Sequence, residues 1–288
     1  MGRVGAAWQL FKESFAVLAA DEEILLFPVI SGISALLLAA SFFIPLYRDG
    51  TLLAVAKHKG TWDDYAVLFA WYYLNSFVGI FFNGALMACA NIRLSGGQPT
   101  VGAGFRMALS RVGSIAGWAF VAATVGLVLH SLRDRNNKLL NIFAAGLNLA
   151  WTLITYLIVP VLLFENRGVY GSIHRSEQLF RSHWGEQVAG SFGFGLLTTL
   201  LSIPAVLLAL ALWRTDFMAG LILAAVYLLI LWTVTSAVKG IFTVALYRYA
   251  SQGAAPAGFS VGVIDNALGG RPRIQEPAPW DESPWDKY

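Results

Sequence analysis

The sequence predicts an all-α fold, a polytopic transmembrane helical bundle of about six spanning helices with cytoplasmic interfacial amphipathic helices. Three observations predict it. Of the 288 residues, 57% are hydrophobic and only 13% charged, with a mean hydropathy of +0.62, a mix suited to lipid rather than water as solvent. The apolar residues gather in six stretches, 24–46, 66–90, 112–130, 139–164, 188–212 and 217–238, and none of the six holds Asp, Glu, Lys or Arg. Each comes close to the roughly 20 residues that cross a hydrocarbon core of about 30 Å. Short polar loops separate them. Backbone groups in lipid must pair within their own segment, and the sequence has no run of alternating strands, so the spans are read as helices.

Residues 1–23 read as a cytoplasmic interfacial helix. Val4, Trp8, Phe11, Phe15 and Leu18 recur at helical spacing on one side, opposite Gln9 and Glu13. Asp21, Glu22 and Glu23 then separate the basic start from an apolar run too long for a signal core, so the first span is expected to stay in the protein. The second span carries Asn75, Ser76 and Asn83, and the basic segment 105–111 leads into a short third span. The fourth holds Asn148, Thr152, Thr155, Tyr156 and Pro160.

A second amphipathic segment precedes span five, with Ile173, Phe180 and Trp184 opposite Arg175, Gln178, Ser182 and Glu186. Its Gln178-Leu179-Phe180-Arg181 matches Gln9-Leu10-Phe11-Lys12 of the first. With the segment 105–111 as a weaker third copy, the chain reads as three units of elbow plus helix pair, set against ordinary amphipathic connectors as the other reading. Beyond Val238 the apolar pattern continues to Ala250, so the last helix is expected to outrun the bilayer. Lys239 would snorkel, with Tyr247 and Tyr249 near the headgroups. Residues 24–250 thus form the membrane domain, and 251–288, rich in Pro and charge toward the end but retaining Trp280 and Trp285, a cytoplasmic tail expected to be disordered.

In this arrangement the side holding both termini carries thirteen Lys and Arg against seven on the other, or ten against seven without the distant tail. That favours both termini in the cytoplasm. The net charge of +3 arises from basic residues scattered singly among loops, a pattern for lipid headgroups rather than nucleic acid. The single cysteine, Cys89, excludes an internal disulfide.

Chemical motifs are sparse. Leu94-Ser95-Gly96-Gly97-Gln98 matches the signature peptide of ABC transporter ATPases, but no phosphate-cradling Gly-x-x-x-x-Gly-Lys-Ser/Thr loop accompanies it, and a turn between helices is the better reading. No nucleotide, cofactor or metal is expected. His174 and His183, nine residues apart, fall on opposite helical faces. Neither a His-Glu-x-x-His nor a Gly-x-Ser-x-Gly motif occurs, and no catalytic residue is assigned.

Two sets of binding candidates remain. At the cytoplasmic rim are Glu165, Arg167, Arg175, Arg181 and Trp184, where Glu165 is expected to pair with Arg167 or Arg175 and fix an elbow against the bundle. Within the spans are Asn75, Asn83 and Asn148, which either line a polar crevice or bond between helices beside small residues.

Several of these segments carry a resemblance: Trp8-x-Leu10-Phe11-Lys12-x-Ser14, Leu26-Phe27-Pro28, Pro160 to Glu165, and Ala245-Leu246-Tyr247-Arg248-Tyr249-Ala250 with Pro256 to Phe259. Through them the chain resembles a family of uncharacterised prokaryotic polytopic membrane proteins, a domain of unknown function. The resemblance implies a six-helix membrane fold in a prokaryotic cell membrane and supplies no activity. The leading expectation is a non-enzymatic membrane interaction or assembly protein, partnered by membrane lipids and by a membrane protein or a second copy of itself. The alternative is a transporter or lipid-handling protein.

Overall fold

Shorter helices precede pairs of longer ones along the chain. A computed structural model describes residues 3–50, 61–132, 138–183, 193–212, 217–253 and 256–260. Helix α1 (Arg3–Ala20) is followed, after a 3₁₀ turn at Glu22–Leu25, by α2 (Leu26–Arg48) and α3 (Trp62–Leu94). Helix α4 (Val101–Ser110) leads into α5 (Val112–Ser131) and a broken span made of α6 (Lys138–Ile154) and α7 (Ile158–Phe164). Helix α8 (Val169–His183) leads into α9 (Gly193–Leu212) and α10 (Phe217–Gln252). The described residues contain no strand, and their order is that of three elbow-plus-pair units.

Five segments are long and apolar enough to cross a membrane: Glu22–Arg48, Trp62–Leu94, Val112–Leu129, Leu140–Phe164 and Phe217–Gln252. They match five of the six expected spans, including the short third. For the fifth expected span, the apolar part Thr198–Leu212 is a shorter helix, and residues 188–192 at its start lie outside the described residues. So do Trp184 and the chain beyond residue 260, which includes Trp280 and Trp285.

Local chemistry sets the helix ends. Thr61 and Asp64 form a reciprocal cap on α3, with Thr61 N–H donating to Asp64 Oδ2 at 2.7 Å and Asp64 N–H to Thr61 Oγ1 at 3.4 Å. At the other end of α3, Gly96 adopts φ +84, its N–H donates to Arg93 O at 2.9 Å, and Gly97 N–H donates to Ile92 O at 3.0 Å. This paired closure needs a left-handed residue, which glycine supplies. The Ser95-Gly96-Gly97-Gln98 string is therefore a helix stop, and Thr100 caps α4 through Ala103 N–H at 3.2 Å.

The fourth span breaks at Thr155–Leu157. Pro160 explains the position: it offers no N–H to the carbonyl four residues back, Tyr156, and its ring crowds that carbonyl. Ser176 of α8 repairs the gap. Its hydroxyl donates to Ile154 O at 2.6 Å and accepts from Leu157 N–H at 3.2 Å.

The buried core sits toward one end of the bundle, the end that carries the elbows. It draws on Phe27, Leu86, Ile115, Leu163, Leu179 and a nearly continuous run from Ala237 to Ala250 in α10. The far ends of the long helices are apolar and exposed, as at Leu36 (68%) and Ile142 (70%). Helices α3 and α10 run parallel. Gly240 abuts Leu86, where an added Cβ would lie 2.4 Å from Leu86 Cδ2, and further toward the C-terminal ends of both helices Arg248 bonds to Asn91 at 3.3 Å. At 33 and 36 residues these helices measure about 50 and 54 Å, well beyond a hydrocarbon core of about 30 Å.

Helix α1 corrects one expectation. Its apolar arc is wider than a single face, and the bundle takes the flank of Leu10, Ser14, Val17 and Leu18. Trp8 and Phe15, expected to share a face with Leu18, are exposed at 42% and 45%. With Phe11 they form a stacked ladder, centroids 5.7 and 6.3 Å apart, and Lys12 Nζ lies 5.4 Å from the Trp8 ring centroid. In the matching string on α8, Leu179 is buried as Leu10 is, both at 3% exposure.

Candidate functional site

Two polar regions stand out, one at the rim and one within the bundle. At the rim, α7 ends at Phe164 and delivers Glu165 to a point where three donors converge. Arg167 Nε donates to Glu165 Oε2 at 2.8 Å, and Arg175 Nε lies 3.2 Å from Oε2 and 3.3 Å from Oε1. The Tyr247 hydroxyl of α10 donates to Oε1 at 3.2 Å. Glu165 thus pairs with both arginines rather than with one of them. Tyr247 is a partner that sequence spacing did not reveal, because it lies 82 residues away.

Neighbouring contacts extend this rim. Arg111, between α4 and α5, donates to Asn166 Oδ1, where Asn166 takes the left-handed φ of +49. Arg93 Nε lies 3.1 Å from Asp21 Oδ2, and Arg248 donates to both Asn91 and Ser95. Arg181 does not join the Glu165 cluster. It pairs with Glu177 on its own helix at 2.9 Å and is 76% exposed. Trp184 lies outside the described residues. Chemically, the Glu165 cluster is a saturated acceptor tying α7, α8 and α10 together.

The second region is a partly open cavity of about 360 Å³ walled by α2, α3, the break between α6 and α7, and α10. Helix α2 contributes Pro28 and Ser31, while α3 contributes Gly79, Phe82, Asn83, Leu86 and Met87. Tyr156 enters from the break, and α10 supplies Trp232, Ser236, Lys239, Gly240 and Thr243. Space exists here for two reasons: Pro160 interrupts one wall, and Gly79 leaves open room, since a Cβ there would meet nothing within 4 Å. Thr243 Oγ1 donates to Lys239 O at 2.8 Å and lies 3.4 Å from Tyr156 Oη. Among the described residues, the side chains of Ser31, Asn83, Ser236 and Lys239 have no hydrogen-bond or ion-pair partner.

Of the three intramembrane amides, the cavity takes Asn83 alone. Asn75 lies about two turns earlier on α3 and outside the lining. Asn148 is exposed on α6, its carbonyl accepting from Thr152 Oγ1 at 2.8 Å. Sequence reading overlooked Ser31, Ser236, Lys239 and Thr243 as site residues. A signal was present in the paired steps Asn83-Gly84 and Lys239-Gly240, each a polar residue beside glycine deep in an apolar helix.

Comparison with curated proteins and with solved structures finds no match. A family model does match, over residues 63–259, a stretch that holds both the Glu165 cluster and most of the cavity wall. The chain is accordingly a member of that family, described as a family of unknown function (DUF6159).

Proposed function

We propose that this multi-pass membrane protein binds an amphiphilic molecule in the cavity between α2, α3, α10 and the broken span, and acts in lipid handling or transport. One observation carries the reading: unpartnered polar side chains converge on a cavity beside an interrupted helix. Polar groups at membrane depth are costly unless they meet a partner or line a cavity, and irregular backbone at that depth belongs beside one. Discontinuous spans lining a polar site are a recurring construction for membrane transport. In this reading the elbows and both termini lie on the cytoplasmic side of a prokaryotic cell membrane, and the exposed ladder of Trp8, Phe11 and Phe15 rests among the headgroups.

The test is retention. The full chain, purified from its native membrane, is expected to carry a specific lipid or solute, and Gly79→Leu should reduce that cargo by filling the cavity. Wild-type protein that retains nothing and gives no flux after reconstitution sinks the proposal.

A second reading, a membrane interaction or assembly protein, draws on the exposed apolar outer parts of α9 and α10, including Leu207 and Ile230 at about 60% exposure. Native mass spectrometry separates the two. A stoichiometric protein partner or a defined homo-oligomer supports assembly, and a lipid-loaded monomer supports handling.

A further inference from the structure

We infer that the cavity takes an amphiphile with an anionic head, phosphate or carboxylate, set against the Lys239 ammonium. This rests on the proposed function and names its ligand class. Lys239 is the only charged side chain in the lining, and no described Asp or Glu pairs with it. The cavity therefore carries one uncompensated positive charge.

Depth makes that charge significant. Arg248 marks the basic rim by bonding to Asn91 and Ser95 at the end of α3. Lys239 sits nine residues before it on an unbroken helix, which at 1.5 Å per residue is about 14 Å deeper. An ammonium at such depth favours either snorkelling outward or a counter-anion brought to it. The surrounding groups suit the second arrangement, because the Ser31 and Ser236 hydroxyls and the Asn83 amide are donors with nothing to donate to. A charged oxygen is the acceptor that draws most from such donors.

The shape points to the membrane as the source. A volume of about 360 Å³ is at the small end of the roughly 300–1,000 Å³ usual for ligand sites, enough for a headgroup but not for two acyl chains. Trp232 is half exposed and packs beside Gly32 of α2, where a Cβ would lie 3.3 Å from its ring. This leaves an apolar lip between α2 and α10 over which chains lie in lipid.

The experiment uses the full chain in nanodiscs containing phosphatidylglycerol, phosphatidylcholine and diacylglycerol, with retained lipids read by native mass spectrometry. Wild-type protein should retain phosphatidylglycerol over both others. Lys239→Gln should lose that preference by about tenfold, the worth of one charge-assisted hydrogen bond, while Lys239→Arg keeps it. If phosphatidylglycerol and diacylglycerol are retained equally and Lys239→Gln changes nothing, the anionic head is overturned while the amphiphile cavity stands. If no lipid is retained and Gly79→Leu has no effect, the cavity reading itself falls. If soluble glycerol 3-phosphate displaces phosphatidylglycerol at matching concentration, the anion site stands and the lipid source is overturned.

Discussion

The Ser176 hydroxyl donates to the Ile154 carbonyl across 2.6 Å, so an elbow from the third unit closes the break in a span of the second. The same oxygen accepts from Leu157 N–H, and Ser176 itself is fully buried. A single side chain thus substitutes for the helical ladder that Pro160 interrupts. This lets the span stay broken beside the cavity with the Ile154 carbonyl and the Leu157 N–H both paired.

Ser176→Ala removes both bonds at once. Each buried backbone group left without a partner costs about 1–3 kcal/mol, so the variant should unfold several degrees below wild type in thermal scans of detergent-solubilised protein. An unchanged midpoint would mean that the break is held by other contacts.

Replacing the Glu165 carboxylate by an amide keeps one acceptor oxygen but removes the charge and the second acceptor that two guanidinium groups and a phenol share. Glu165→Gln is expected to destabilise by about 1–3 kcal/mol, below the full cost of a buried pair because Arg167 and Arg175 remain partly exposed. Tyr247→Phe alone should cost about 1 kcal/mol. A double-mutant cycle on Glu165 and Tyr247 should return a coupling above about 0.5 kcal/mol, and additive losses would show that the contact carries no energy of its own.

Gly104 sets a close helix approach and Gly79 does not. At Gly104 a Cβ would meet Ala85 O, Cys89 Sγ and Phe27 Cζ, all at 2.7 Å, between α4, α3 and α2. Gly104→Ala should therefore cost about 1–3 kcal/mol through overpacking. Gly79→Ala, with open space around it, should be close to neutral. Chemical denaturation of both variants checks the contrast, and equal losses would refute it.

The two flanks of α1 should differ in the same way. Leu10→Ala empties a site only 3% exposed and is expected to cost about 2–5 kcal/mol. Phe15→Ala alters an exposed ring and should change stability little, while weakening the attachment of α1 to anionic vesicles as measured by protease protection of the N-terminal segment. A large stability loss from Phe15→Ala would place that face inside the bundle.

Much of this architecture was legible in the order of residues. Hydropathy marked five spans that the structure matches, and Thr61 and Thr100 sit where helix caps belong, but proline alone did not locate the break, since Pro45 and Pro204 lie inside unbroken helices. The wide apolar arc of α1 was legible too, but not which flank docks, because periodicity reports a helix's own surface and not its neighbour's.

The sequence by itself determined the solvent, the helical class and the places where helices begin and end, since these depend on each residue and the few beside it. Tertiary structure decided which polar groups meet. Glu165 finds Tyr247 82 positions away, Arg248 finds Asn91 157 positions away, and Lys239 and Asn83 come to line one cavity. The Arg248–Asn91 bond follows from parallel packing of α3 on α10 at Gly240, and the Glu165–Tyr247 bond from packing of α7 on α10, contacts between distant segments that no local pattern encodes.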